Sequence, residues 1–164
     1  ADKTFMNTLK LKYKISEELK SSDAVKSLFS KIDEVPASLV LAQSANESGW
    51  GTSRFAIEAR NMFGIWCFRE GCGIKPLKRA AGKKYEVAKY NSIQESVEAY
   101  MLNINSHRAY RELRRIRSKS RADNSAPSGM ALAEGLETYS ARGEEYVKEI
   151  KQLIRVNKLQ RFNS

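Results

Sequence analysis

Helical periodicity runs along the first third of this chain, stops at Gly49 and Gly51, and returns at Ser92. That interruption limits the possible architectures most. Helices that flank a short, non-helical, aromatic-rich insert predict an α+β domain rather than a bundle or a repeat array. Phe5, Leu9 and Tyr13 fall at i, i+4 and i+8 with Met6 beside them, the spacing of one helix face. "SSDAVKSLFSKID" opens on Ser and Asp cap candidates, then places Val25, Leu28, Phe29 and Ile32 at i, i+3, i+4 and i+7. Pro36 suits the first turn of the next helix, where its missing N–H costs nothing. That helix carries Leu39, Val40, Gln43 and Glu47 along one side, with Gln43 and Glu47 one turn apart.

Between the helical stretches, "TSRFAIEAR" predicts a short helix and "NMFGIWCF" a loop passing into a strand. "KKYEVAKY" alternates in part, so a small β-hairpin is expected before Tyr90. Helix resumes at "NSIQESVEAYMLNINSH", where Ser92 and Glu95 form a capping box and Ile93, Val97, Tyr100, Met101 and Ile104 make a buried stripe. "RADNSAPSG" reads as loop, "MALAEGLETYS" as a short helix, and "EEYVKEIKQLIRVNKL" as a closing helix with Tyr146, Ile150, Leu153 and Ile154 on one face. A length of 164 residues suits a single domain over 1–164, with the β lobe at about 63–90. No segment approaches the ~20 apolar residues needed to cross a bilayer. The chain starts at Ala1 without Met and shows no signal peptide, as a processed or truncated chain would.

Cys67 and Cys72 are the only cysteines. A zinc site needs four ligands, and His107 is the only histidine the chain adds. A short disulfide, which needs an oxidising compartment, is expected; a pair of free thiols is the alternative. Lys plus Arg number 29 against 19 acids, a net charge of +10, which favours an anionic partner. The basic residues are scattered except in "RELRRIRSKSR", read either as a solvated helix end or as a groove that tracks a polyanion.

Glu47 is the residue with chemical promise. It lies in the last turn of its helix, where the dipole disfavours a carboxylate, and Trp50 three residues on can supply an apolar wall. Both effects are expected to push its pKa upward, and a carboxylic acid kept protonated is what general-acid cleavage of a glycosidic bond requires. Gly49 and Gly51 would let a polymer approach the backbone closely.

"AQSANESGWGTSRFA", "NMFGIWC", "YNSIQESVEAYMLNINSH" and "LETYSARGEEYVKEI" follow in the order seen in the bacterial glucosaminidase superfamily. From about Pro36 onward the chain resembles glycoside hydrolase family 73, the mannosyl-glycoprotein endo-β-N-acetylglucosaminidase type, and within it the Bax-type bacterial proteins. The A-x-E-S-G-W-G block together with N-x-F-G-I is the most specific part. The resemblance implies a mainly helical, lysozyme-like fold with a small β lobe. It also implies a glycosidase, not an amidase, acting on peptidoglycan glycan strands on the reducing side of N-acetylglucosamine. Glu47 then matches the catalytic acid and Tyr139 a tyrosine facing the cleft. Asn61 and Phe63 match the motif that shapes the floor beside the acid.

Most glycosidases use two carboxylates. Glu70 and Glu86 lie in the right region but in no matching pattern, and Glu95 is already explained as a helix cap. Without a second acid, either the substrate's own N-acetyl group attacks the anomeric carbon or a water held by Tyr139 or a backbone carbonyl does. Trp66, Tyr85 and Tyr90 are candidates for stacking on sugar rings or for packing within the hairpin. No metal or cofactor is expected, and a periplasmic or secreted location is. One alternative is a wall-binding relative with little or no turnover. A nucleic-acid module built on "RELRRIRSKSR" is the other, but no zinc finger, RNP pattern or glycine-rich phosphate loop accompanies it, so no nucleic-acid partner is expected.

Overall fold

A computed structural model describes residues 3–16, 18–77, 79 and 81–163. The chain divides into two compact units, Ala1–Leu39 with Leu102–Ser164, and Val40–Met101. The boundaries fall inside two helices, α3 (Ala37–Ser48) and α5 (Ile93–Ser106).

The first unit holds α1 (Lys3–Lys12), α2 (Ser21–Lys31), α6 (Arg111–Ala122), α7 (Gly129–Leu132) and α8 (Glu144–Val156). Leu113 of α6, Leu132 of α7, Leu136, and Tyr146, Ile150 and Ile154 of α8 are fully buried. The apolar stripe expected of α8 is therefore its inner face. A 3-10 turn, Ala133–Leu136, continues α7, so the short helix expected of "MALAEGLETYS" is a four-residue α-helix followed by a 3-10 turn. At that turn Gly135 meets the backbone of Leu113 so closely that a Cβ would lie 2.3 Å from the Leu113 nitrogen. Ile15, Ala24 and Leu28 form a smaller core, with Met6, Leu9 and Tyr13 packed against it. The other side of the α2 stripe is open: Phe29 is 76% exposed, and Val25, Ile32 and Phe5 of α1 are exposed as well. Helical spacing shows which residues share a face, but not whether another element covers it.

The arginine run that fills α6 is divided: Arg114 and Arg117 are buried, whereas Arg111, Arg115 and Arg121 are exposed. Arg117 is fully buried and donates to the backbone oxygens of Ser30 (3.0 Å), Asp33 (3.1 Å) and Glu34 (2.9 Å) and to Asn105 Oδ1 (2.8 Å). Arg121 pairs with both Asp33 and Glu34 at 2.8 Å. Burial alone would raise the Asp33 carboxyl. The hydrogen bond from Arg121, the Glu34 N–H and the charge of Arg117 outweigh it and hold the group below its usual value.

The second unit holds most of α3, then α4 (Arg54–Ala59), β1 (Trp66–Cys67), β2 (Gly73–Ile74), β3 (Glu86–Ala88) and the first part of α5. Ser53 caps α4 by accepting from the Ala56 N–H. The expected hairpin is two strands of a three-stranded antiparallel sheet in which β3 is central: Trp66 faces Val87 across one edge and Gly73 faces Ala88 across the other. All three β3 residues are buried. Gly73 is required at its position, since a Cβ there would sit 1.9 Å from the Val87 oxygen. Along the α5 stripe Tyr100 and Ile104 are fully buried, whereas Ile93, the first helical residue, is exposed. Among the described residues no helix is long and apolar enough to cross a membrane.

Candidate active site

Helix α3 ends at Ser48, which puts Glu47 in its last turn and Gln43 one turn earlier on the same face. Gly49, Trp50 and Gly51 follow with φ of +57°, +58° and +80°. The helix is closed by the Trp50 N–H donating to the Ala45 oxygen (2.8 Å) and the Gly51 N–H donating to Ser48 Oγ (2.7 Å). A left-handed conformation is uncommon for a bulky residue, so the turn holds Trp50 in a strained state. Its indole is 64% exposed. A ring so exposed is accessible to a ligand.

The Asn61–Ile65 loop lies beside Glu47 at Gly64. Asn61 is buried; its Nδ2 donates to the oxygens of Ile65 and Ala88, both at 2.8 Å, and its Oδ1 accepts from the N–H groups of Phe63 (3.3 Å) and Ile65 (3.1 Å). One amide side chain therefore folds the loop and ties it to β3. The Met62 N–H donates to Ser96 Oγ on α5 (3.1 Å). Phe63 is buried and stacks on Tyr100 with centroids 4.1 Å apart. The Tyr100 hydroxyl donates to Gln43 Oε1 at 2.6 Å. Gly64, at φ +63°, completes the ring of contacts: a Cβ there would stand 3.2 Å from Glu47 Oε2. Glu47 itself is half-buried. Gly64, Gln43 and Ser96 join the site only through tertiary contacts. The i, i+4 step from Gln43 to Glu47 and the glycine of N-M-F-G were the available signals.

The other candidates sit as follows. Trp66 is 47% exposed at the edge of the sheet, its ring 4.3 Å from that of Tyr85. Tyr90 is half-buried, its N–H donates to the Ala59 oxygen, and burial raises its phenol. Cys67 and Cys72 are joined by a disulfide that links β1 to the start of β2. Glu70 is exposed in the turn between them.

Glu86 is 1% exposed; it accepts from the Gly73 N–H (2.9 Å) and lies 4.0 Å from Arg79. The Gly73 N–H, more than any charge, holds its carboxyl below the usual value. So enclosed, this carboxylate ties β2 to β3. Glu95 accepts from the Asn91 N–H (2.8 Å), and its own N–H donates to Ser92 Oγ (3.0 Å). It is the helix cap expected, displaced by one residue from the reciprocal bond of a capping box.

Tyr139 belongs to the other unit, where its ring stacks on Tyr146 (5.5 Å, 5°) and lies 5.9 Å from Tyr110. His107 accepts at Nδ1 from the Ala109 N–H and caps the 3-10 turn Arg108–Tyr110.

This is an α+β, mainly helical fold of the lysozyme-like kind, with a small sheet. The catalytic domain of the autolysin Auto from Listeria monocytogenes shares it. The two superpose with a TM-score of 0.55 at 22% identity, over 98% of this chain and 86% of that one. Residues 23–159 match the family described as mannosyl-glycoprotein endo-β-N-acetylglucosaminidase, and the chain belongs to that glucosaminidase family. Protein bax of Escherichia coli (strain K12) is 35% identical over 119 residues, which are 73% of this chain and 42% of that relative. The chain thus spans less than half the length of the curated relative it matches.

Proposed function

We propose that this chain is a peptidoglycan hydrolase that cleaves glycan strands on the reducing side of N-acetylglucosamine, with Glu47 as general acid. One observation carries the reading most: in a chain of the glucosaminidase family, the Glu47 carboxylate lies against Gly64 of the N-x-F-G-I loop, a position open to it because that residue has no side chain. Glu47 donates its proton to the glycosidic oxygen as the bond breaks. Trp50 and Trp66, both exposed, offer flat faces for sugar rings. Tyr139 is carried from the family resemblance as a second catalytic group, and residues 1–164 act as one glucosaminidase-like domain. An extracytoplasmic location fits the Cys67–Cys72 disulfide, which persists in an oxidising compartment.

With Glu86 enclosed, Glu95 committed to a helix end and Glu70 in no pattern of the family, the second half of the reaction falls to the substrate's acetamido oxygen or to a held water. The anomer formed first separates the two: retention for the acetamido route, inversion for direct attack by water.

The test is Glu47→Gln. Clearing of a purified wall suspension should fall by about 100-fold or more, with an unchanged melting temperature. Equal clearing by parent and variant would remove Glu47 from the mechanism. Mass spectrometry of the released fragments should show reducing-end N-acetylglucosamine; reducing-end N-acetylmuramic acid would assign a muramidase instead. A parent that binds wall but clears none of it would be a wall-binding relative, the reading that the enclosure of Glu86 favours.

A further inference from the structure

The unit that carries α6 contains a cavity of ≈ 630 Å³ whose walls are strongly basic. Lys14, Lys31, Arg108, Arg111, Arg114 and Arg115 line it, with His107 and four serines. No carboxylate occurs among the described residues that line it.

The pairing of these cations is what gives the cavity meaning. Arg115 has a carboxylate partner, Glu112, at 2.6 Å. The others have none within ion-pair distance among the described residues. Lys31 Nζ donates to the backbone oxygens of Tyr13 (2.7 Å) and Lys14 (3.1 Å), and Arg114 Nη1 to those of Ile104 (2.7 Å) and His107 (3.0 Å). Neutral carbonyls fix these charges in position without cancelling them. Burial, then Arg114 and Lys14, push the Lys31 ammonium down; burial, then Lys14, Arg108 and Arg114, push the His107 imidazole down. The cations therefore repel one another, and an anion among them would relieve that repulsion. His107 Nδ1 accepts from the Ala109 N–H, so the neutral ring carries its proton on Nε2 and can donate.

Size and donor type narrow the ligand. The volume falls in the usual range for small-molecule sites, about 300–1,000 Å³, more than one oxyanion fills. Guanidinium forks match the oxygens of carboxylates and phosphates two at a time, but a phosphate group brings about twice the charge and a third acceptor oxygen to clustered cations and serine hydroxyls. We propose that this cavity binds a compact, multiply phosphorylated anion. It shares no residue with the proposed active site, so the inference stands independently of the glycosidase reading.

Isothermal titration of the full chain at low salt tests it, with tripolyphosphate as probe, citrate as a carboxylate control and duplex DNA as a polymer control. Tripolyphosphate should bind one to one, at least about tenfold tighter than citrate. The double variant Lys14→Gln, Arg111→Gln should weaken it by about tenfold or more at an unchanged melting temperature, since both side chains are exposed. Arg108→Gln, a second exposed position, should weaken it in the same direction. Equal affinity for citrate would mean unspecific attraction and overturn the proposal. So would unchanged affinity in the variants. Tighter binding of duplex DNA through the same residues would make the face a nucleic-acid track and overturn it also.

Discussion

Gly64 shows how finely one residue can set a site. Its φ of +63° disfavours any side chain, and the space a Cβ would need is bounded by Glu47 Oε2 at 3.2 Å. Gly64→Ala therefore meets two penalties, backbone strain of about 1 kcal/mol and a carboxylate displaced by a few tenths of an ångström. The expected outcome is a small fall in melting temperature and a loss of wall clearing of about tenfold or more. Thermal melting and turbidity on the same preparation check it. A variant that melts lower but clears at the parental rate would show that the position of Glu47 is not critical. Trp50 points the same way: a tryptophan at φ +58° with an exposed indole is backbone strain retained where function is proposed.

Among the elements, the shortest are held by the closest approaches. The Ala133–Leu136 turn rests on α6 only because Gly135 lets backbone meet backbone. In Gly135→Ala the new methyl would lie 2.3 Å from the Leu113 nitrogen and 2.4 Å from its Cα, atoms that a helix cannot move singly. The turn or α6 must shift, and we expect a loss of about 3 kcal/mol in urea unfolding. A change below about 0.5 kcal/mol would mean that this seam is soft. The sheet uses the same device at Gly73, where β2 crosses close to Val87. The strands are two or three residues long, and the disulfide and the Glu86 bond to the Gly73 N–H supply constraint that so few ladder bonds cannot.

For the molecule as a whole, an excess of ten positive charges has to be accommodated. Part of it is accommodated inside the first unit, where Arg117 is buried among carbonyls and faces Asp33 at 3.6 Å. Asp33 titrates below its unfolded value, about 3.9. Its contribution is therefore complete above that pH and is lost as pH falls through the lower, folded value. Asp33→Asn should cost about 2 kcal/mol at neutral pH, less than a fully enclosed pair because Asp33 is partly open to water. The deficit should narrow as pH falls below the unfolded value and through the lower, folded one, where the parent's own carboxylate becomes protonated. Urea unfolding of both chains across that range checks it, and a pH-independent difference would show that the pairing with arginine is not what Asp33 contributes.

Local order was largely legible in the residues. The stop of α3 at Gly49, the cap of α5 at Ser92 and Glu95, the inner face of α8 and the place of Glu47 in a last turn all follow from neighbours a few positions away. Nearby residues alone set caps, breaks and facing. Long-range burial was not legible. Nothing near Glu86 in the chain reveals that Gly73 encloses it, or that Phe29 is left uncovered while Leu28 is buried. Nor does the arginine run reveal that Arg117 is interior while Arg111 lines a cavity. Those outcomes depend on which distant segment arrives at each side chain, and so on the three-dimensional packing, because desolvation and pairing are properties of a neighbourhood rather than of a residue.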